Sequence, residues 1–175
     1  MIVSLIVAIS NNRAIGKNNQ LIWHLPKDMK FFMDSTTSHP VIMGRKNYES
    51  IPEKYRPLRN RTNIIITRNK SFEANGCLVV NSIEESLSCM NFGDNEEIFV
   101  IGGGEIYKKF LDFNLIDRMY ITHIDEFFEG DTFFPEIDSK YWELVWEEPQ
   151  TKALDNLPYS FLPYPKKKQQ SYPFF

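Results

Sequence analysis

Apolar residues fall along this chain in short dense runs, separated by polar stretches or by segments of helical period. The first run, Ile2 to Ile9, is apolar almost throughout, as expected of a strand covered on both faces in a parallel sheet. Comparable runs at Pro40 to Met43 (PVIM), Asn63 to Thr67 (NIIIT), Cys77 to Val80 (CLVV), Glu97 to Ile101 (EIFVI), Met119 to Ile124 (MYITHI) and Tyr141 to Glu147 (YWELVWE) predict further strands. Helical segments alternate with them. Pro26 suits a first helical position, and from there Leu25, Met29, Phe32, Met33 and Thr36 form one mostly apolar stripe, with Lys27, Lys30 and Asp34 on the other side. A second helix is predicted near Arg45 to Ser50. A third opens at Ser82, with Glu85 completing a capping box, and a fourth spans Glu105 to Asp112. The alternation predicts an α/β fold with a largely parallel sheet and right-handed crossovers.

Two intervals break the pattern. Ser10 to Ile22 is polar with Gly16 inside it, and connections of that length are usually functional or mobile surface loops; lying just before Asp28, this one reads as a lid or as an ordinary loop. Pro149 to Phe175 is the other interval, and Pro163 and Pro165 project the same way there, which limits the stretch to an edge strand with regular pairing in doubt after about residue 162.

Composition narrows the class. At 175 residues and 42% hydrophobic content, the chain buries roughly 70% of its unfolded surface as one domain over residues 1–175. A net charge of −3 with pI 5.7 offers no footprint for nucleic acid, so cationic segments are local sites. The apolar N-terminal run lacks a basic leader and is too short to cross a bilayer. Cys77 and Cys89 have neither metal-ligand spacing nor a secretory context, and His24, His39 and His123 are scattered, so the expectation is a reduced cytoplasmic protein without a metal.

The stretch Gln20 to Phe32 (QLIWHLPKDMKFF) concentrates candidate chemistry. Asp28 falls in the first helical turn at the edge of the apolar stripe, where a partly dried carboxylate is still favoured as an anion by the helix dipole. It suits a cationic or amidine-like group, or it simply stabilises its helix. Arg45 and Lys46 begin a helix whose dipole disfavours cations. Gly44 before them admits a ligand, so an anion there resolves the conflict unless both side chains extend into solvent. Arg68, just past another strand, is a second candidate for the same anion. Gly102 to Gly104 join a strand to a helix as a pyrophosphate cradle or as a tight turn. They miss the dinucleotide fingerprint because Tyr107 stands at its last glycine. Phosphate-like sites at strand ends beside a carboxylate describe a nucleotide-cofactor enzyme.

The strings AISNNRAIGKNNQLIWHLPKDM, VIMGRKNYESIP, NIIITRN, VIGGGEIY, YITHI and EGDTFFPE, in this order and spacing, make the chain resemble the dihydrofolate reductase family over residues 1–147. The resemblance implies a central, mostly parallel sheet of about eight strands with an antiparallel C-terminal edge and about four flanking helices. It implies a monomer that reduces dihydrofolate to tetrahydrofolate with NADPH and binds antifolate inhibitors. Asp28 would grip the pterin and Thr122 would hydrogen-bond to it, with Leu21 and Trp23 completing the catalytic group. Ile6, Ala8, Phe32, Ile51 and Leu58 would line the substrate pocket, and Arg61 would clamp the substrate's glutamate carboxylate, a task suited to a bidentate guanidinium. For the cofactor, the resemblance assigns Ala8, Ile15 and Ile101 to the nicotinamide side, Asn47, Gly103 and Gly104 to the pyrophosphate, and Arg45, Lys46, Thr67 and Arg68 to the 2′-phosphate. It also implies that Gly16, Asn19, Gly44, Glu105, Ile106, Tyr107 and Thr132 bind the cofactor. The Gly102–Gly103 bond matches the family's cis peptide. Ile22 stands where the family usually has Pro, Asn47 where Thr is common, and LPYPKKKQQSYPFF departs from the family's last strand. Two rivals remain at this point, a same-fold reductase of riboflavin-pathway pyrimidines and a non-catalytic nucleotide- or folate-binding sensor.

Overall fold

The computed structural model describes residues 1–93, 96–145, 148–150 and 158–167. Ten strands and four α-helices follow one another as β1 (Ile2–Ser10), β2 (Ala14–Gly16), α1 (Pro26–Thr36), β3 (Val41–Gly44), α2 (Arg45–Ser50), β4 (Asn63–Ile66), β5 (Cys77–Val80), α3 (Ile83–Ser88), β6 (Glu97–Val100), α4 (Gly104–Asp112), β7 (Arg118–Ile124), β8 (Thr132–Phe133), β9 (Glu148–Gln150) and β10 (Tyr159–Pro165). A 3₁₀ turn at Glu53–Tyr55 lies between α2 and β4. Eight strands form one sheet in the order β5-β4-β3-β6-β1-β7-β10-β9, parallel from β5 through β7, with β10 antiparallel to both of its neighbours. The remaining two, β2 and β8, pair separately.

Strand β1 explains the layering. Its odd residues Val3, Leu5, Val7 and Ile9 join Ile83 of α3 and Ile106 and Phe110 of α4 in one buried cluster. Its even residues Ile6 and Ala8 face the other side, where α1 and α2 bring Phe31, Phe32 and Tyr48. Both faces are therefore dry, and each aliphatic side chain fully buried there contributes about 1.5–3 kcal/mol. The predicted cap of α3 is present, Ser82 Oγ accepting from the Glu85 amide at 3.0 Å. The Glu85 carboxylate returns to the Asn81 amide at 2.6 Å, one residue before the cap.

Four expectations are corrected. Along α1, Leu25, Phe32 and Thr36 of the predicted stripe are covered, but Met29 and Met33 are exposed and Phe31 is covered in their place. Ser10 to Ile22 is no open loop. Asn18 and Asn19 both take positive φ (53° and 58°), closing a turn bridged by Lys17 and Gln20, and β2 pairs with β8.

The sheet ends in an antiparallel C-terminal pair as expected, but the proline-bearing β10 is not its outermost strand, since β9 lies beyond it, and β10 runs on through Pro165. The carbonyls of Pro163 and Pro165 accept from Val145 and Glu143 at 3.3 Å, so both prolines face away from β7 and no ladder bond to it is lost. The same prolines explain why Tyr141 to Val145 is not a strand. Its partner offers carbonyls but no N–H in return, leaving only an isolated bridge from Trp142 to Lys166, with pairing resuming at β9. Residues 146–147 of that predicted strand, and 151–157 and 168–175 of the Pro149 to Phe175 interval, lie outside the described residues.

Candidate functional site

The register of three neighbouring strands builds the site floor. Thr122 on β7 lies opposite Ala8 on β1 and opposite Phe161 on β10. Pro26 starts α1 at its first turn, which delivers Asp28 to the same place, and the Thr122 hydroxyl donates to Asp28 Oδ1 at 2.6 Å. Three residues on, Phe31 stacks on Phe161 (4.3 Å between centroids, 28°) and meets Tyr120 edge-on at 6.4 Å. Burial pushes the Asp28 carboxyl above its ordinary range, and the Thr122 bond pulls it partly back. Trp23 packs edge-on against Phe128 at 5.2 Å. Leu21 is largely exposed, so of the four residues expected to act on the pterin, three are gathered and one stands outward.

A second arrangement forms where β3 and β6 end side by side. The Gly44 amide donates to the Gly102 carbonyl at 2.8 Å, and the Asn47 side-chain amide donates to the Ile101 carbonyl at 2.9 Å. Gly102 has φ +101°, and a Cβ there would meet the Tyr107 ring at 2.8 Å. A Cβ on Gly104 would meet Thr132 at 2.7 Å and Ile15 at 3.8 Å, whereas Gly103 has nothing within 4 Å. The Gly102–Gly103 peptide is cis. The start of α4 thus presents backbone N–H groups without a side-chain cap beside open space, a setting that favours an anion. Ile15, Gly16, Gly104 and Thr132 converge here from separate parts of the chain. Tyr107 is buried beneath, its hydroxyl donating to the Ile6 carbonyl at 2.8 Å; burial, reinforced by the Asp28 charge, pushes its pKa far up. Asn19 and Glu105 are exposed.

Of the predicted phosphate residues, Lys46 and Arg68 are exposed, without an acidic partner among the described residues. Arg45 turns along its own helix to Glu49 at 3.2 Å and lies over the Phe72 ring at 5.9 Å. Thr67 is buried, with its hydroxyl accepting from the Asn69 amide at 3.1 Å.

At the other end, Phe32, Ile51 and Leu58 pack together against the second core cluster. Arg61 lies over Phe32 at 5.8 Å and donates to Thr36 Oγ1 (2.9 Å), Thr37 Oγ1 (3.2 Å) and the Arg59 carbonyl (2.9 Å), and burial lowers its pKa from the ordinary value. Buried Asn63 fixes the preceding loop by bonding both the amide and the carbonyl of Leu58.

Sequence reasoning missed Phe31 and Phe161. The i,i+3 spacing from Asp28 marks Phe31 as sharing its helix face. It also missed Asn12 and Asp131, which tie the hairpin to the segment before β8. Asn12 donates to the Phe128 carbonyl at 2.8 Å, and Asp131 accepts from the Asn18 amide at 2.7 Å. Separations of 116 and 113 residues leave no local signal for either.

Comparison with known proteins bears on the whole of this arrangement. The family model described as dihydrofolate reductase matches residues 2–166. A dihydrofolate reductase from Bacillus subtilis is 46% identical over 94% of this chain and 95% of its own length. One from Haemophilus influenzae is 45% identical over 85% of this chain and 88% of its own length. The solved structure of dihydrofolate reductase from Enterococcus faecalis, complexed with NADP(H) and RAB-propyl, superposes with a TM-score of 0.84 at 37% identity, covering 95% of this chain and 97% of that one.

Proposed function

This chain belongs to the dihydrofolate reductase family, and from that premise we propose how its residues carry out the NADPH-dependent reduction of 7,8-dihydrofolate to 5,6,7,8-tetrahydrofolate. The observation that carries the reading is the half-buried Asp28 carboxylate held through one oxygen by Thr122. An ionised carboxylate only accepts hydrogen bonds. Oδ1 keeps a second lone pair beside the Thr122 bond, so the two oxygens together accept the paired N–H donors of the pterin's 2-amino group and neighbouring ring nitrogen, while Phe31 and Phe161 keep the floor dry.

The reaction saturates the N5=C6 double bond, with hydride to C6 and a proton to N5. NADPH, when bound, supplies the hydride. The glycine cradle fits its pyrophosphate: Gly103 is open where a side chain would begin, while Gly44 and Gly104 let Ile106 and Thr132 pack close behind it, where a Cβ would meet them at 3.0 and 2.7 Å. Arg45, Lys46 and Arg68 receive the 2′-phosphate, and Ile15 and Ala8 border the nicotinamide. Asp28 grips the far side of the pterin from N5, so it acts by its negative field, favouring the ring protonated at N5 while water delivers the proton. Arg61, oriented by Thr36 and Thr37, takes the substrate's glutamate carboxylate. Antifolate inhibitors compete at Asp28. All of these groups lie in one chain, so the working unit is a monomer, and the free thiols Cys77 and Cys89 suit a reducing cytoplasm.

Absorbance at 340 nm with NADPH and dihydrofolate tests the reading. Wild type oxidises NADPH only when dihydrofolate is present. In Asp28→Asn, hydride transfer at saturating substrate rises about tenfold per pH unit as pH falls towards the pKa of N5, while wild type levels off at higher pH. A raised KM with the pH profile unmoved would leave Asp28 as a binding group only.

A further inference from the structure

We propose that Glu49 sets how strongly this chain prefers the 2′-phosphorylated cofactor over the unphosphorylated one, by acting as the carboxylate partner of Arg45. The inference rests on the reading that Arg45, Lys46 and Arg68 receive the 2′-phosphate. Arg45 and Glu49 stand one helical turn apart on α2, Nη1 to Oε1 at 3.2 Å, with side chains 39% and 40% exposed. Phe72 lies under the guanidinium and is itself held edge-on by Tyr48 at 6.4 Å. The guanidinium is therefore placed by an aromatic ring on one side and a carboxylate on another. Among the described residues Glu49 is the hydrogen-bond acceptor on Arg45, whereas Lys46 and Arg68 carry no acidic partner. One of the three cations meant for the phosphate thus arrives with an anion already attached.

The two cofactors meet that anion differently. A phosphate on Arg45 must share the guanidinium with Glu49 or displace it, and two anions bonded to one guanidinium sit within roughly 6 Å of each other, where they repel. A ribose 2′-hydroxyl is a donor, and a carboxylate beside it is an acceptor. The same chemistry lets an acidic residue take the hydroxyl of the unphosphorylated cofactor while an arginine takes the phosphate of the other. Glu49 therefore works against the preference that Arg45, Lys46 and Arg68 create, and the net selectivity is the difference. Because the pair is exposed, its effect is screened by salt.

The test measures dissociation constants of NADP⁺ and NAD⁺ by calorimetry for wild type, Glu49→Gln and Arg45→Gln, at about 20 mM and about 500 mM salt. Glutamine keeps the length of the side chain and a carbonyl acceptor for Arg45, and NAD⁺ binding reports directly on whether the pocket is intact. At low salt, Glu49→Gln raises the ratio Kd(NAD⁺)/Kd(NADP⁺) at least about threefold, a gain that shrinks at high salt, and Arg45→Gln lowers the ratio at least about tenfold. A lowered ratio in Arg45→Gln with an unchanged or lowered ratio in Glu49→Gln overturns the role of Glu49 and leaves the phosphate placement standing. An unchanged ratio in Arg45→Gln overturns the placement, and the role of Glu49 with it.

Discussion

Asp28 illustrates at the scale of one residue how a binding group works against its own fold. Burial raises its pKa above the ordinary aspartate value. Between the unfolded and the folded pKa the native state binds more protons than the unfolded state, so stability falls as pH rises through that window. Above the folded pKa the cost of the ionised, half-buried carboxylate is fully present. Asp28→Asn keeps the shape without the charge. The variant is therefore expected to have a higher Tm than wild type at pH 7, with the advantage shrinking as pH falls towards the ordinary aspartate range. Thermal unfolding at several pH values checks this. A variant less stable than wild type at pH 7 would mean that the Thr122 bond outweighs desolvation.

At the scale of elements, the hairpin from Ala14 to Gln20 is positioned by what it leans on. Asp131 Oδ2 accepts from the Asn18 amide at 2.7 Å, and the Asp131 amide donates to the Gly16 carbonyl at 3.0 Å. The Lys17–Glu129 pair beside them is exposed and adds little. Bonds from the Asn18 amide and Thr132 hold the Asp131 carboxyl below its ordinary range, so the carboxylate's contribution to docking is full above the ordinary value and is lost as pH falls through the depressed one. In Asp131→Ala, hydrogen exchange at Asn18 is expected to quicken at least about fivefold, while the amides of Ile6 and Val7 in β1 keep wild-type protection. In wild type the same hairpin amides are expected to slow further when NADP⁺ and folate bind together, if closure shields the reacting rings from water. Equal exchange at Asn18 in wild type and Asp131→Ala would show that β2–β8 pairing alone docks the hairpin.

For the molecule as a whole, β10 ties the far end of the chain to the middle of the sheet. Phe161 is buried on it, stacked on Phe31, edge-on to Tyr159 at 5.7 Å, and opposite Thr122 in register. Phe161→Ala is expected to cost about 3–5 kcal/mol in urea unfolding and to raise KM for dihydrofolate, since both Thr122 and α1 lose their backing. Leu144→Ser, at an exposed position beside the same strand, is expected to stay within about 0.5 kcal/mol of wild type. A Phe161→Ala variant as stable as Leu144→Ser would remove β10 from the account of the site.

Local chemistry carried much of this in the sequence. The nearly all-apolar stretch from Ile2 to Ile9, broken only by Ser4, read as a strand covered on both faces. Pro26 placed the start of α1 and hence Asp28, and Ser82 with Glu85 placed α3. The ordered motifs identified the family and its cofactor. Relations between distant residues were a different matter, because they depend on which elements pack together. The exposed side of α1 was misjudged because hydrophobicity ranks Met29 and Met33 with the core, whereas the sheet offers its surface to Phe31 beside the expected Phe32. The C-terminal prolines read as marks of an edge strand, since the sequence does not say which side of a strand will be paired. In the fold they face away from β7, and β10 takes an interior place. The polar stretch from Ser10 to Ile22 read as a loop, because its partners lie more than a hundred residues away, and the pairing of Arg45 with Glu49 emerged only once side-chain directions on α2 were set. Short-range propensity acts through neighbours in the chain, while register, facing and docking are settled by surfaces that meet only after folding.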